Sequence, residues 1–247
     1  MYISPLNRLT PLGGSKGSEV PFNLASALHE WNYQNATEVG TTVTAIDSGS
    51  VGGLNMTNPN AASEPTLSAT SIQFSLTEFL QNLTSNFRGA DTSGVVHILI
   101  DFVSDGNNQQ FFSLANNGVD NQRLSWGLGG SNTIQYFTDI GGSITLLKTT
   151  NSIVDGRNLL SYYCTGSDNF ICINGVKQTL YDTDTIGSNW IKTTIDGGNS
   201  YNNIAFSSIQ RSTPNYYATN IKYICYTPYV SEAAVLVDAS KILNSGI

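Results

Sequence analysis

The chain has 247 residues, enough for one large hydrophobic core. Only 12% of them are charged, about half the share usual in globular domains, and the net charge is −7. An acidic chain whose 11 Lys and Arg residues are scattered excludes a nucleic-acid or anionic-membrane partner, and no apolar run approaches the roughly 18 residues of a membrane helix. Asn, Ser, Thr, 23 Gly and 12 Tyr take the place of the missing charges. That composition suits short strands joined by polar turns and disfavours helices, which prefer Ala, Leu, Glu and Lys.

Residues 1–28 form a first segment. Pro5, Pro11, Pro21 and the run 13–18 (Gly-Gly-Ser-Lys-Gly-Ser) interrupt any regular element. Leu6, Leu9, Leu12, Val20 and Phe22 are nonetheless too apolar for a solvated tail. These residues predict an extended arm that docks on another surface; an irregular N-terminus packed on its own domain is the alternative. Met1-Tyr-Ile-Ser-Pro-Leu-Asn-Arg lacks a basic region followed by an apolar run, so no secretory signal is expected and the chain is expected to be made in the cytoplasm.

Residues 29–247 are expected to be a single domain. Strand rhythm starts at Trp31 and continues through 41–57. Ser75 and Glu78 fit a capping box, and Phe79, Leu80, Leu83 and Phe87 give one apolar stripe, which predicts a helix over 76–87. Residues 95–103 are apolar on both faces and predict a central strand. Further strands at 111–115, 123–128, 133–137 and 143–147 recur at about ten-residue intervals, the spacing of a sandwich or barrel. The segment 159–176 alternates apolar and polar residues around Gly166-Ser167 and ends in Asn174-Gly175, predicting a hairpin. Its register sets Cys164 opposite Asn169, Tyr162 opposite Ile171 and Leu160 opposite Ile173. Cys164 and Cys172 then face opposite ways, so they and Cys225 are expected to be free thiols. Two more strands, at 201–209 and 218–227, precede a short helix at 231–242 capped by Ser231.

Three of these stretches carry a resemblance: the 159–176 hairpin with its Asn-Gly-Val turn, the 41–57 strand running into Asp47-Ser-Gly49, and the closing order Asn202-Asn-Ile-Ala-Phe, Ile221-Lys-Tyr-Ile-Cys-Tyr, Ser231-Glu-Ala. Together they resemble laminin-G-like, concanavalin A-like jelly rolls over residues 31 to 245. The resemblance implies an all-β, two-sheet antiparallel sandwich whose usual work is recognition.

Chemistry is sparse. Glycosidases of this fold need two carboxylates across the sugar bond, and no Glu occurs between Glu78 and Glu232. Asp101 and Asp105 remain, in a context that reads as a structural turn. His97 alternates with core residues and reads as structural, and no nucleophile elbow or P-loop is present. The chain is therefore expected not to be an enzyme. The resemblance implies occasional calcium; Asp182 and Asp184 open an EF-hand-like run, but Ile and Thr occupy later ligand positions. Aromatic platforms with planar amides suit sugars, which points to Trp126, Tyr136, Tyr216 and Tyr217 with Asn132, Asn215 and Asn220, against core packing as the alternative for each. Two functions follow. One is a component of a bacteriophage virion (capsid decoration, head fibre or tail-associated), attached through the arm to other virion proteins or to copies of itself, with the jelly roll turned towards glycans. The other is a carbohydrate-binding lectin module of a larger secreted protein.

Overall fold

The computed structural model describes residues 22–48, 54–83, 87, 93–164, 169–183, 201–228 and 231–247. Among them the chain forms β1 (His29–Val39), β2 (Thr42–Ser48), β3 (Met56–Thr57), β4 (Thr66–Leu67), β5 (Ile72–Phe74), β6 (Leu80–Asn82) and β7 (Gly94–Phe102). There follow β8 (Gln109–Ala115), β9 (Gln122–Leu128), β10 (Thr133–Ile140), β11 (Ser143–Ser152), β12 (Gly156–Cys164) and β13 (Asn169–Ile173). Then come β14 (Val176–Lys177), β15 (Leu180–Thr183), β16 (Asn203–Phe206), β17 (Ser208–Ile209), β18 (Asn215–Tyr216) and β19 (Thr219–Pro228), before the helix α1 (Glu232–Leu243).

The pairings are antiparallel and fall into two runs, the two sheets of a jelly-roll sandwich. The back sheet runs β14-β13-β12-β7-β19-β1-β2. The front sheet runs β6-β16-β8-β9-β10-β11-β15. The short strand β3 links the two sheets between β2 and β6, while β4 and β5 bridge β2 and β19 within the back sheet. The core lies between the sheets and is rich in aromatics: Trp31, Phe87, Phe112, Trp126, Tyr136, Phe206 and Tyr226 are all buried in one cluster. Phe112 stacks on Trp126 at 5.0 Å, and Trp31 meets Phe206 edge-on at 5.3 Å. β7 is the central strand that its two apolar faces predicted. Val96, Ile98 and Ile100 face the main core, while Leu99 packs under α1.

The hairpin has the register read from its alternation, with Leu160 opposite Ile173, Tyr162 opposite Ile171 and Cys164 opposite Asn169. Its Gly166-Ser167 loop lies outside the described residues. Asn174 and Gly175 take φ of 50° and 77°, the left-handed pair that a two-residue hairpin turn requires. Cys164 joins the main core and Cys172 a separate cluster on the opposite face; these two and Cys225 are free and buried. Burial pushes the Cys172 thiol up to about 11. α1 starts as expected, with Ser231 accepting from the Ala234 amide.

The helix expected over 76–87 is not formed in the described part of that span. The capping contact exists, since the Ser75 amide donates to the Glu78 carboxylate at 2.7 Å, but it closes a single turn. The chain then extends into β6, where Leu80, Gln81 and Asn82 pair with Phe206, Ala205 and Ile204. Tertiary pairing outweighs the local signal because only part of the apolar stripe is wanted in the core. Leu80 is fully buried there, whereas Leu76 and Leu83 stay 64% and 66% exposed.

Of the arm, Leu6, Leu9, Leu12 and Val20 lie outside the described residues. Phe22 packs edge-on to Tyr223 at 5.7 Å on the chain's own back sheet. Leu24 is buried beside it, the Leu24 amide donates to Glu30, and Ser26 donates to Asp238 on α1. Residues 22–28 thus belong to the domain, and any free arm ends before them. Deleting residues 1–28 is expected to lower the melting temperature by several degrees relative to deleting 1–21, because Leu24 and Phe22 would be lost from an apolar contact worth roughly 1.5–3 kcal/mol per buried side chain. Equal melting curves for the two truncations would show that this segment contributes nothing.

Candidate functional site

Strand register places three rows of side chains on the outer face of the front sheet. One row reads Ala115, Arg123, Asp139 and Ile144; the next Ala205, Ser113, Ser125, Phe137 and Leu146; the third Gln110, Gly127, Gln135 and Lys148. Directly paired residues share a face and alternate residues point the other way, so Leu124, Trp126, Leu128, Ile134 and Tyr136 fill the core beneath. The chain from 207 to 217 folds over one side of this face: Ser113 Oγ donates to Ser208 O at 2.6 Å, and the Tyr217 amide donates to Ser207 O. The result is a shelf, floored by small residues on one side and open across Phe137, Gln135, Leu146 and Lys148, all only half-buried.

Arg123 is its centre. The guanidinium lies over the Phe137 ring at 4.7 Å and contacts Asp139 at 3.5 Å. Burial first, and then the like charge of Arg211, lowers its pKa, while Asp139, Tyr217 and Asp120 act in the opposite direction. Arg211 is steadied by Thr213 O at 3.0 Å and Asp120 O at 3.2 Å, so its head is held rather than free to swing. Tyr217 completes the group, its hydroxyl pKa raised by burial and opposed by the Asn215 hydrogen bond and by both arginines.

Four buried polar atoms on this face have no hydrogen-bond partner among the described residues: Arg123 Nε, Ser125 Oγ, Asp139 Oδ1 and Gln110 Oε1. Buried polar atoms are nearly always hydrogen-bonded, and leaving one unpaired costs about 1–3 kcal/mol. Four on neighbouring rows of one sheet face concentrate unmet hydrogen-bonding capacity just beneath the shelf surface.

The residues chosen from sequence divide accordingly. Trp126 and Tyr136 are core side chains, 0% and 3% exposed, and offer no ring face to a ligand. Tyr217 stands at the shelf. Tyr216 packs on Phe79 at 5.6 Å, with Asn215 beside it in β18. Asn132 sits at the end of the sandwich, φ 58°, donating to Ser104 Oγ. Asp182 is paired with Lys148 in the β11–β15 backbone register, and Asp184 lies outside the described residues. Among the described residues no group of three or more His, Cys, Asp or Glu side chains could hold a metal ion. Arg123, Ser125, Gln135 and Phe137 were missed, although the same alternation that places Trp126 and Tyr136 inward places them outward.

No known family and no curated protein matches this sequence. Solved structures do match in fold. The chain is similar to the carbohydrate-binding module (CBM40) of the Ruminococcus gnavus IT-sialidase, at TM-score 0.51 and 14% identity, over 69% of this chain and 97% of that one. It is similar to part of the NanB sialidase of Streptococcus pneumoniae, at TM-score 0.50 and 17% identity, over 59% of this chain and only 24% of the sialidase. It also matches the botulinum neurotoxin serotype G binding domain, at TM-score 0.58 and 13% identity, over 89% of this chain and 52% of that one. At such identities the likeness is one of fold, the β-sandwich that carbohydrate-binding modules share.

Proposed function

We propose that this chain is a carbohydrate-binding module whose site is the shelf around Arg123. The observation that carries the reading is the set of buried, unpartnered polar atoms on one sheet face, beside the half-buried Phe137 ring and two fixed guanidiniums. Sugars present hydroxyls that need planar, bidentate partners and C–H faces that need an aromatic or aliphatic surface; Arg123, Ser125, Gln110 and Gln135 supply the first, Phe137 and Leu146 the second. The set consists of hydrogen-bonding groups beside an apolar surface, which favours binding. Of the two functions open at the level of sequence, the lectin-module reading has this support, and the fold of the neighbours is in keeping with it. Attachment to a virion has no comparable observation behind it.

Ser125→Ala gives the cleanest test. Because Ser125 Oγ has no partner among the described residues, the substitution is expected to leave stability within about 1 kcal/mol of the parent while weakening glycan binding by about tenfold. Arg123→Lys keeps a charge near Asp139 but loses the planar fork, and a similar or larger loss is expected. The measurement is a glycan array carrying sialylated and neutral glycans, followed by calorimetric titration of the strongest binder. An array without binders, or affinity unchanged in both variants, would refute the proposal.

A further inference from the structure

A cleft of about 200 Å³ opens beside the 103–108 turn, between the end of β7 and the start of β19, and shares no residue with the shelf. Phe74, Asp101, Asp105, Gln109, Thr219 and Asn220 line it. Its polar groups are mainly acceptors. Asp101 Oδ2 takes Lys222 Nζ at 3.3 Å and Thr70 Oγ1 at 3.2 Å, which neutralises the carboxylate and leaves Oδ1 to the cleft. Asn220 spends one amide N–H on Asp101 O at 3.3 Å, leaving its oxygen and its second N–H. Gln109 donates to Val103 O, and the Thr219 hydroxyl to Ser207 Oγ. Burial pushes the Asp105 carboxyl up, but hydrogen bonds from Asn107 and Gln109 bring it below the usual carboxylate range, so it is an ionised acceptor too. Phe74 supplies an apolar wall.

An acceptor-lined cleft with an apolar wall fits a ligand rich in hydroxyl donors. A bare cation would leave most of this space unfilled, and Lys222, only 7% exposed against Asp101, already supplies a positive charge. We infer that the cleft is a second sugar subsite, holding one uncharged ring through adjacent hydroxyls donated to Asp101 Oδ1, Asp105 and Asn220 Oδ1. It depends on the proposed function only for the class of ligand.

The test is a titration of the isotope-labelled full chain, followed by amide NMR shifts, with the methyl glycosides of glucose, galactose and mannose, with N-acetylglucosamine, and separately with CaCl2. At least one neutral sugar is expected to shift the amides of 103–109 and 218–220. Asn220→Ala and Asp105→Ala are expected to weaken that binding at least tenfold, and Arg123→Lys to leave it unchanged. Asp105 is exposed, so its variant serves even if Asn220→Ala does not fold. The inference fails if no neutral sugar shifts these amides, if only calcium does, or if both variants bind like the parent. The shelf is read separately, by the response to Arg123→Lys on the array, so either site can fail without the other.

Discussion

Replacing Gly127 by alanine is expected to destabilise the sandwich by more than about 3 kcal/mol. A Cβ at this position would stand 2.1 Å from the Gln109 carbonyl oxygen and 2.6 Å from Gln110 Oε1. The second contact could be relieved by rotating a side chain; the first is with backbone. The close approach comes from the register shift between Gln110 and Phe112 in the β8–β9 pair, which draws the β8 chain across Gly127. Neither strand can retreat, because β8 is also paired to β16 and β9 to β10. In a domain of this size the loss corresponds to a fall of more than roughly 6 °C in melting temperature, or to insoluble protein. Gly130→Ala is the control: nothing lies within 4 Å of its added carbon, so it is expected to melt with the parent. If the two variants melt together, the close approach does not exist in the molecule.

Acid is expected to weaken the fold through His97. The ring is buried in the back sheet, opposite Ser161 on β12 and Cys225 on β19, beneath Asp238 of α1. Nδ1 lies 2.8 Å from Ser161 Oγ, and Nε2 has no partner among the described residues. Burial lowers the pKa from 6.5 to about 4, with Asp238 opposing. A depressed folded value means that the unfolded chain takes up the proton first. The stability due to neutral His97 is therefore complete above pH 6.5 and is lost as the pH falls towards 4. The span of about 2.5 units corresponds to roughly 3 kcal/mol. Glu30 works in the opposite sense: burial raises its carboxyl, against hydrogen bonds from Leu24 and Tyr223, so it favours the fold in acid and softens the lower end of the window. Urea unfolding from pH 7.5 to 4 should show the decline, and His97→Gln, which keeps a hydrogen-bonding group towards Ser161, should flatten it. A His97 ring that titrates near 6.5 by NMR in the folded protein would overturn the argument.

Alternation is what made most of the fold legible. In the 159–176 segment it specified the strand register residue by residue, since a slip of one would turn Leu160, Tyr162 and Cys164 out of the core. The same two-residue period runs through 123–128 and 133–137, and it puts Trp126 and Tyr136, which residue type alone had suggested for binding, on the inward parity. Their large apolar surfaces belong in the core, and the outward parity holds Arg123, Ser125, Gln135 and Phe137. A local signal misled at 76–87, where the capping contact of Ser75 and Glu78 formed without the helix.

By itself the sequence determined the fold class, the central position of β7, the hairpin register, the free thiols and the final helix, because each rests on periodicity or on contacts between near neighbours in the chain. Only the tertiary structure decided which surface is the candidate site and what residues 22–28 do. Arg123 and Arg211 are 88 positions apart in sequence and meet because the chain after β16 folds back across the front sheet; Ser26 finds Asp238 because α1 returns to the same face of the back sheet. Contacts of such separation leave no periodic trace in the chain, since they depend on how two sheets and a helix pack, and packing is a property of the whole core.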